Sequence, residues 1–241
     1  MTYPHSFSLI QIIICVMIGW YSAFIINSIR GQQMSENREI TKDMSKSGED
    51  QALAWEEISV EHIVQDKWID FRRASYRFPD GTTFSPYYNY SRRSYVVIVA
   101  SAAEGNYLCV RQYRHGIGEV TTEFVAGGIE SSTGREYITR EDTLSSHENA
   151  LEAAKRELEE ETGYTSDEWE HLLTIPSAAT IADNYAFIFR ARNCWRTSEQ
   201  HTDSTEFLRM EKHSAEEIEE LIAAGRFQQA MHVMAWLLAQ R

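Results

Sequence analysis

The chain has 241 residues, 43% of them hydrophobic and 24% charged, enough for one well-cored domain with a small appendage. A formal net charge of -13 repels phosphate backbones and argues against sequence-independent nucleic-acid binding, so no nucleic-acid partner is expected. Three scattered cysteines, Cys15, Cys109 and Cys194, argue against a disulfide framework and a structural zinc site and read as small buried apolar residues.

From Phe7 to Ile26 the sequence is almost continuously apolar and carries no charge. About 20 helical residues reach roughly 30 Å, one hydrocarbon thickness, and Trp20 and Tyr21 lie where amphipathic rings suit an interface. We therefore expect a transmembrane helix within residues 1–29, with membrane contact through residues 7–26. Arg30, Arg38, Lys42 and Lys46 follow it and place the body in the cytoplasm, tethered to the membrane. The alternative is a start assigned too far upstream, since Met34 or Met44 would begin a soluble cytoplasmic protein. Residues 30–53 are polar, charged and poor in large apolar side chains, and read as a flexible linker.

The body opens with strand-like runs at Trp55–Val64 and Trp68–Phe78, the second ending in a Pro79-Asp80-Gly81 turn. Ser94–Ala100 and Tyr107–Tyr113 are β-rich and separated by Glu104-Gly105-Asn106, which predicts a hairpin. Thr122–Ala126 is a further short strand, closed by Gly127-Gly128. Ser131–Ser146 is polar, with no core-forming pattern. Ser145 and Glu148 then stand at capping-box spacing and open a helix to Thr162, with Gly163 placed to stop it. Strands return at His171–Ile175 and Tyr185–Arg190, and another is expected near Glu206. Ser214 caps a helix to Ala224, Gly225 breaks it, and Gln228–Gln240 is a final amphipathic helix. This order predicts a mixed α/β (α+β) domain, not a parallel repeat.

Within the central helix, Glu157, Glu160 and Glu161 are three and four residues apart and project from one face. Carboxylates this close repel one another. Mg2+ takes hard oxygen ligands and would turn that repulsion into coordination, bridge a pyrophosphate and position a water. Arg156 is placed to hold a glutamate by a bidentate contact. Charge alone does not separate this from a solvated helix face; what favours the metal reading is a resemblance carried by the surrounding residues.

Glu148, Arg156, Glu157, Leu158, Glu160, Glu161 and Gly163 resemble the Nudix box, G-x5-E-x7-R-E-U-x-E-E-x-G-U with U apolar, and Tyr164 fills its last position loosely. Val110–Arg114, Glu123–Ile129 and the tail Glu217–Arg241 are similar to the ADP-ribose pyrophosphatase branch of that family. The resemblance covers Trp55–Arg241. It implies a Nudix α/β/α sandwich with a mixed sheet over residues 54–241, and a homodimer formed partly through the N-terminal strands. It further implies metal ligation by Glu157, Glu160, Glu161, Glu206 and the Ala126 carbonyl, with Mg2+ as the ion and Mn2+ as a substitute. Catalytic roles carry over to Glu160, Glu161, Glu206 and Arg156. Substrate contacts carry over to Arg114, which meets the phosphates, and to Glu123 and Gly127.

The implied reaction is Mg2+-dependent hydrolysis of the pyrophosphate in a nucleoside diphosphate linked to another moiety, ADP-ribose to AMP and ribose 5-phosphate above all. Another nucleotide sugar, a dinucleotide, or a non-catalytic ligand sensor are the alternatives. Sensors tend to lose metal carboxylates, and this chain keeps them. Tyr87, Tyr88, Tyr90 and Tyr95 are candidates to stack on a base, although aromatic residues in strands more often pack.

The family pattern is broken in three places. Gly127 and Glu148 are separated by about twenty residues instead of five, through Ser131–Ser146, which reads either as a tolerated surface insertion or as a lid carrying Arg135, Tyr137 and Arg140. Ser204 stands where relatives carry an acid, leaving Asp203 or Glu206 as candidate general base. Pro176–Thr180 lacks the Ser-Pro-Gly run of the branch, which leaves the substrate's second half open.

Overall fold

The computed structural model describes residues 48–130, 150–201 and 207–241. The apolar span at 7–26, the insertion at 131–146, the Ser145–Glu148 capping box, and Asp203, Ser204 and Glu206 lie outside these residues. Among the described residues no helix is long and apolar enough to cross a membrane.

The chain divides into two compact units, one reaching up to Glu56 and including Tyr76–Phe84, the other holding Glu57–Ser75 and Ser85–Arg241. In the first, a short helix α1 (Gly48–Gln51) precedes Trp55, whose ring lies 4.5 Å from Phe78 and 5.8 Å from Tyr76 between centroids. The expected turn is present: the Thr82 N–H donates to Asp80 Oδ1 at 2.9 Å.

Strands β1 (Glu56–Gln65), β2 (Asp70–Arg77) and β3 (Thr83–Ser91) pair in that order. The third was not among the expected strands, and it contains Pro86. In the second unit, a polar cluster ties β2 and β3 to Asp183. Arg72 donates to Asp70 (3.2 Å), Asn89 (2.7 Å) and Asp183 (3.0 Å), and Ser91 donates to Asp183 (2.7 Å). Nothing in local spacing announces these partners, which are up to 111 positions apart.

The main sheet comprises β4 (Tyr95–Ala102), β5 (Tyr107–Arg114), β6 (Glu119–Gly128), β7 (Tyr164–Thr165), β8 (Glu168–Pro176), β9 (Tyr185–Arg196) and β10 (Leu208–His213). Its order is β10-β5-β6-β4-β9-β7, with β8 also paired to β9. β4 and β9 run parallel and the other pairs antiparallel, so the sheet is mixed as expected. The expected β4–β5 hairpin pairs only beside its turn, at Ala100↔Leu108 and Ser101↔Tyr107. Beyond that the strands diverge and β6 enters between them, with Val97↔Ala126 on one side and Cys109↔Phe124 on the other.

The run in β4 lacks alternation because helices cover both faces. Val96, Ile98 and Ala100 pack with Ala153, Ala154 and Leu158 of α2 (Ala150–Thr162). Val97 and Val99 pack with Ile218 of α3 (Ala215–Ala223) and with Ala235, Trp236 and Ala239 of α4 (Ala230–Ala239). The result is the expected α/β/α layering. Cys109 and Cys194 are free and buried, as expected, and burial pushes the Cys194 thiol up to about 11. Ser214 and Glu217 form a full capping box on α3, worth about 1 kcal/mol. Gly163 ends α2 with φ 75° and donates its N–H to the Glu159 carbonyl at 2.7 Å; a Cβ there would stand 2.3 Å from the Ser198 carbonyl oxygen.

One core histidine was not singled out by its sequence context. His232 of α4 accepts the Phe124 N–H on Nδ1 at 3.1 Å. Burial first, and then the charge of Arg114, lower its pKa to about 3. The unfolded chain therefore takes up this proton near the ordinary histidine value while the folded chain does not. The resulting stability is complete above about pH 6.5 and is lost as pH falls toward 3. We expect His232→Asn, which keeps an acceptor, to flatten the fall of urea-unfolding free energy between about pH 6.5 and 4. An unchanged slope would contradict this.

Candidate active site

The geometry of the acidic helix is set by what it packs on. α2 lies chiefly on β6 and β4, with Ala153, Ala154 and Leu158 in the core. That rotation turns Glu157 and Glu161, one helical turn apart, toward the end of β6. Both are buried, at 7% and 3% exposure, whereas the Glu160 side chain is 45% exposed. Buried carboxylates persist only where donors meet them. Glu161 Oε2 accepts the Ala126 N–H at 3.3 Å. Arg156 Nη1 donates to Glu157 Oε1 at 2.8 Å and to Glu160 Oε2 at 3.0 Å, while its Nη2 donates to the Gly128 carbonyl at 3.0 Å.

Arg156 thus links two of the glutamates to the strand end, where the sequence suggested a bidentate grip on one. Ala126 meets the helix through its N–H; its carbonyl enters the site only by family resemblance. Gly127 has a strict steric role. A Cβ on it would lie 1.9 Å from the Glu157 carboxyl carbon, so this carboxylate occupies the volume that any other residue's side chain would need.

Arg114 and Glu123 form a second pair on β5 and β6. Arg114 Nε lies 2.9 and 3.1 Å from the two Glu123 oxygens, and Nη2 donates to Oε2 at 2.5 Å. Glu123 has no exposure at all, while about a third of the Arg114 side chain is open, at 34%. Glu123, expected from the resemblance to contact substrate, is thus paired with Arg114.

Among the described residues, no three acidic, histidine or cysteine side chains converge as a ready-made metal cage. The donor chemistry nevertheless fits a hard divalent cation. Glu157, Glu160 and Glu161 offer oxygen atoms only, crowded within two turns of helix, with no thiolate or imidazole among them. These three would hold the ion. Bound there, a divalent cation would supply charge neutralisation for phosphate oxygens and acidify a water. Arg156 keeps Glu157 and Glu160 turned toward the strand end, and the Ala126 N–H does the same for Glu161.

The Gly128 carbonyl was not foreseen as a site atom. The Gly127-Gly128 pair was legible as a strand end, but the partner of Arg156 was not. We expect Gly127→Ala to displace Glu157 by more than an ångström and to cut kcat/KM about hundredfold. Thermal unfolding should show a folded protein. Full activity in a folded Gly127→Ala protein would show that the Glu157 position is not needed.

Comparison with known proteins places the chain in a family. Residues 91–237 match the NUDIX domain, more than half of the chain. The chain is 26% identical over 166 residues to an ADP-ribose pyrophosphatase of Bacillus subtilis (strain 168), covering 68% of this chain and 81% of that protein. Its fold is similar to a crystal structure described as an ADP compounds hydrolase, with TM-score 0.63 and 20% identity, covering 78% of this chain and 94% of the other. The chain belongs to the NUDIX domain family and is similar to its ADP-ribose pyrophosphatase-like members.

Proposed function

We propose that this Nudix pyrophosphohydrolase splits the diphosphate of ADP-ribose or a closely related nucleotide sugar into a nucleoside monophosphate and a sugar phosphate. The observation that carries this reading is the pair of buried carboxylates, Glu157 and Glu161, seated against Ala126 and Gly127 with Arg156 locked to Gly128. A site built from hard oxygen donors suits phosphoanhydride chemistry with Mg2+, and with Mn2+ as a substitute. The names of the relatives support the ADP-linked substrate.

In this reading Glu157, Glu160, Glu161, Glu206 and the Ala126 carbonyl hold the metal. Arg114 binds a phosphate of the substrate. Retention of the box glutamates favours an enzyme over a non-catalytic sensor. The attacking water loses its proton to Glu206 or Asp203.

Two further readings belong with it. A homodimer through the N-terminal strands is supported by β1, which is exposed along its whole length and presents Ile58, Val60, Ile63 and Val64 to solvent. A membrane tether rests on the uncharged apolar run at 7–26.

The test is a substrate panel of ADP-ribose, GDP-mannose, UDP-glucose, NADH and diadenosine polyphosphates, assayed with Mg2+, with Mn2+ and with chelator. We expect ADP-ribose to give AMP and ribose 5-phosphate at the highest kcat/KM, with activity abolished by chelator. Hydrolysis that is indifferent to chelator, or confined to dinucleotides, would overturn the assignment.

A further inference from the structure

We propose that Glu123 is a positioning residue, which aims Arg114 at the substrate's diphosphate without touching the substrate itself. This rests on the reading of Arg114 as the phosphate-binding arginine.

The starting observation is an asymmetry of burial within one ion pair. Glu123 is wholly enclosed, while Arg114 keeps about a third of its side chain open, at 34%. A carboxylate removed from water loses hydration that its partners must replace. Here Arg114 Nε lies 2.9 and 3.1 Å from its two oxygens, and Nη2 is 2.5 Å from Oε2. An arginine held by two of its nitrogens has its guanidinium plane fixed, because that fork is rigid. Without it, a long side chain at the end of β5 would sample many rotamers, and each substrate encounter would have to order it.

The location of the pair supports the same reading. Arg114 closes β5 opposite Glu119, and Glu123 lies on β6 opposite Val110. Three residues beyond Glu123 on β6, Ala126 meets Glu161, and Gly127 next to it seats Glu157. One strand therefore carries both the partner that orients the arginine and the seat that places the carboxylates. The strand that carries Glu123 is anchored on its opposite face through the next residue. Phe124, next to Glu123, is tied by its N–H to His232 and packs its ring on Phe227 and Trp236.

A purely structural ion pair and a positioning pair make different predictions for kinetics. Glu123→Gln keeps the shape and one oxygen acceptor but removes the charge. We expect KM for ADP-ribose to rise by roughly ten- to hundredfold, with kcat falling much less. Glu123→Asp keeps the charge and withdraws it by one methylene, and should show a smaller rise. Arg114→Gln should raise KM at least as much as Glu123→Gln. Adding Glu123→Gln in the Arg114→Gln background should then have no further effect on KM.

Thermal unfolding is measured on each protein, so that a fold defect in Glu123→Gln is recognised and Glu123→Asp serves in its place. If Glu123→Gln and Glu123→Asp lower the melting temperature but leave KM unchanged, the positioning role is overturned. Additive effects of the two glutamine substitutions would also overturn it. An unchanged KM in Arg114→Gln would instead remove the phosphate-binding reading of Arg114, and the positioning role with it.

Discussion

A carboxylate carried by a helix reaches the end of a neighbouring strand only where the strand has surrendered a side chain, and Gly127 provides that space. The Glu157 carboxyl group lies where a Cβ on Gly127 would project. That single close approach sets the distance between α2 and β6, and the other contacts follow. Arg156 spans from Glu157 and Glu160 to the Gly128 carbonyl. One turn further on, Glu161 takes the Ala126 N–H. Three consecutive residues of β6 thereby meet four residues of the helix, Arg156, Glu157, Glu160 and Glu161, directly or through that arginine.

The rest of the domain keeps that contact rigid. β4 is buried on both faces, and the alternate side chains of one short run bind α2 on one side and α3 and α4 on the other. Packed interiors resist small displacements, so α2 cannot slide relative to β6 without opening the core around Leu158 and Val125. β6 lies between β5 and β4, paired to both. The strand carrying the site is therefore held on both edges, as precise placement of functional groups requires.

Much of this was legible in the sequence because the signals were local. Glu157, Glu160, Glu161 and Gly163 are a spacing pattern on one helix, and the Ser214–Glu217 capping box is another. Elements with strong periodicity appeared close to their expected bounds. What escaped were partners fixed only by the fold. The insertion of β6 between β4 and β5 is invisible in a hairpin signal, since the turn is real and the strands do pair beside it. Arg72 finds Asp183 across 111 positions, and His232 finds Phe124 across 108. β3 was not named in advance, and its last residues are tied to the distant Ala178–Asp183 segment. The pairing of Glu123 with Arg114, nine positions apart on different strands, was likewise not foreseen.

In the proposed function, the Glu157–Glu161 face of α2, seated on Ala126 and Gly127, holds the divalent cation. The most direct measurement is Mn2+ binding by electron paramagnetic resonance, comparing the wild-type protein with Glu157→Gln and Glu161→Gln proteins whose folding is verified by calorimetry. The account predicts binding to the wild type and a loss of at least about tenfold in affinity in each variant. Equal Mn2+ affinity in all three proteins would contradict it.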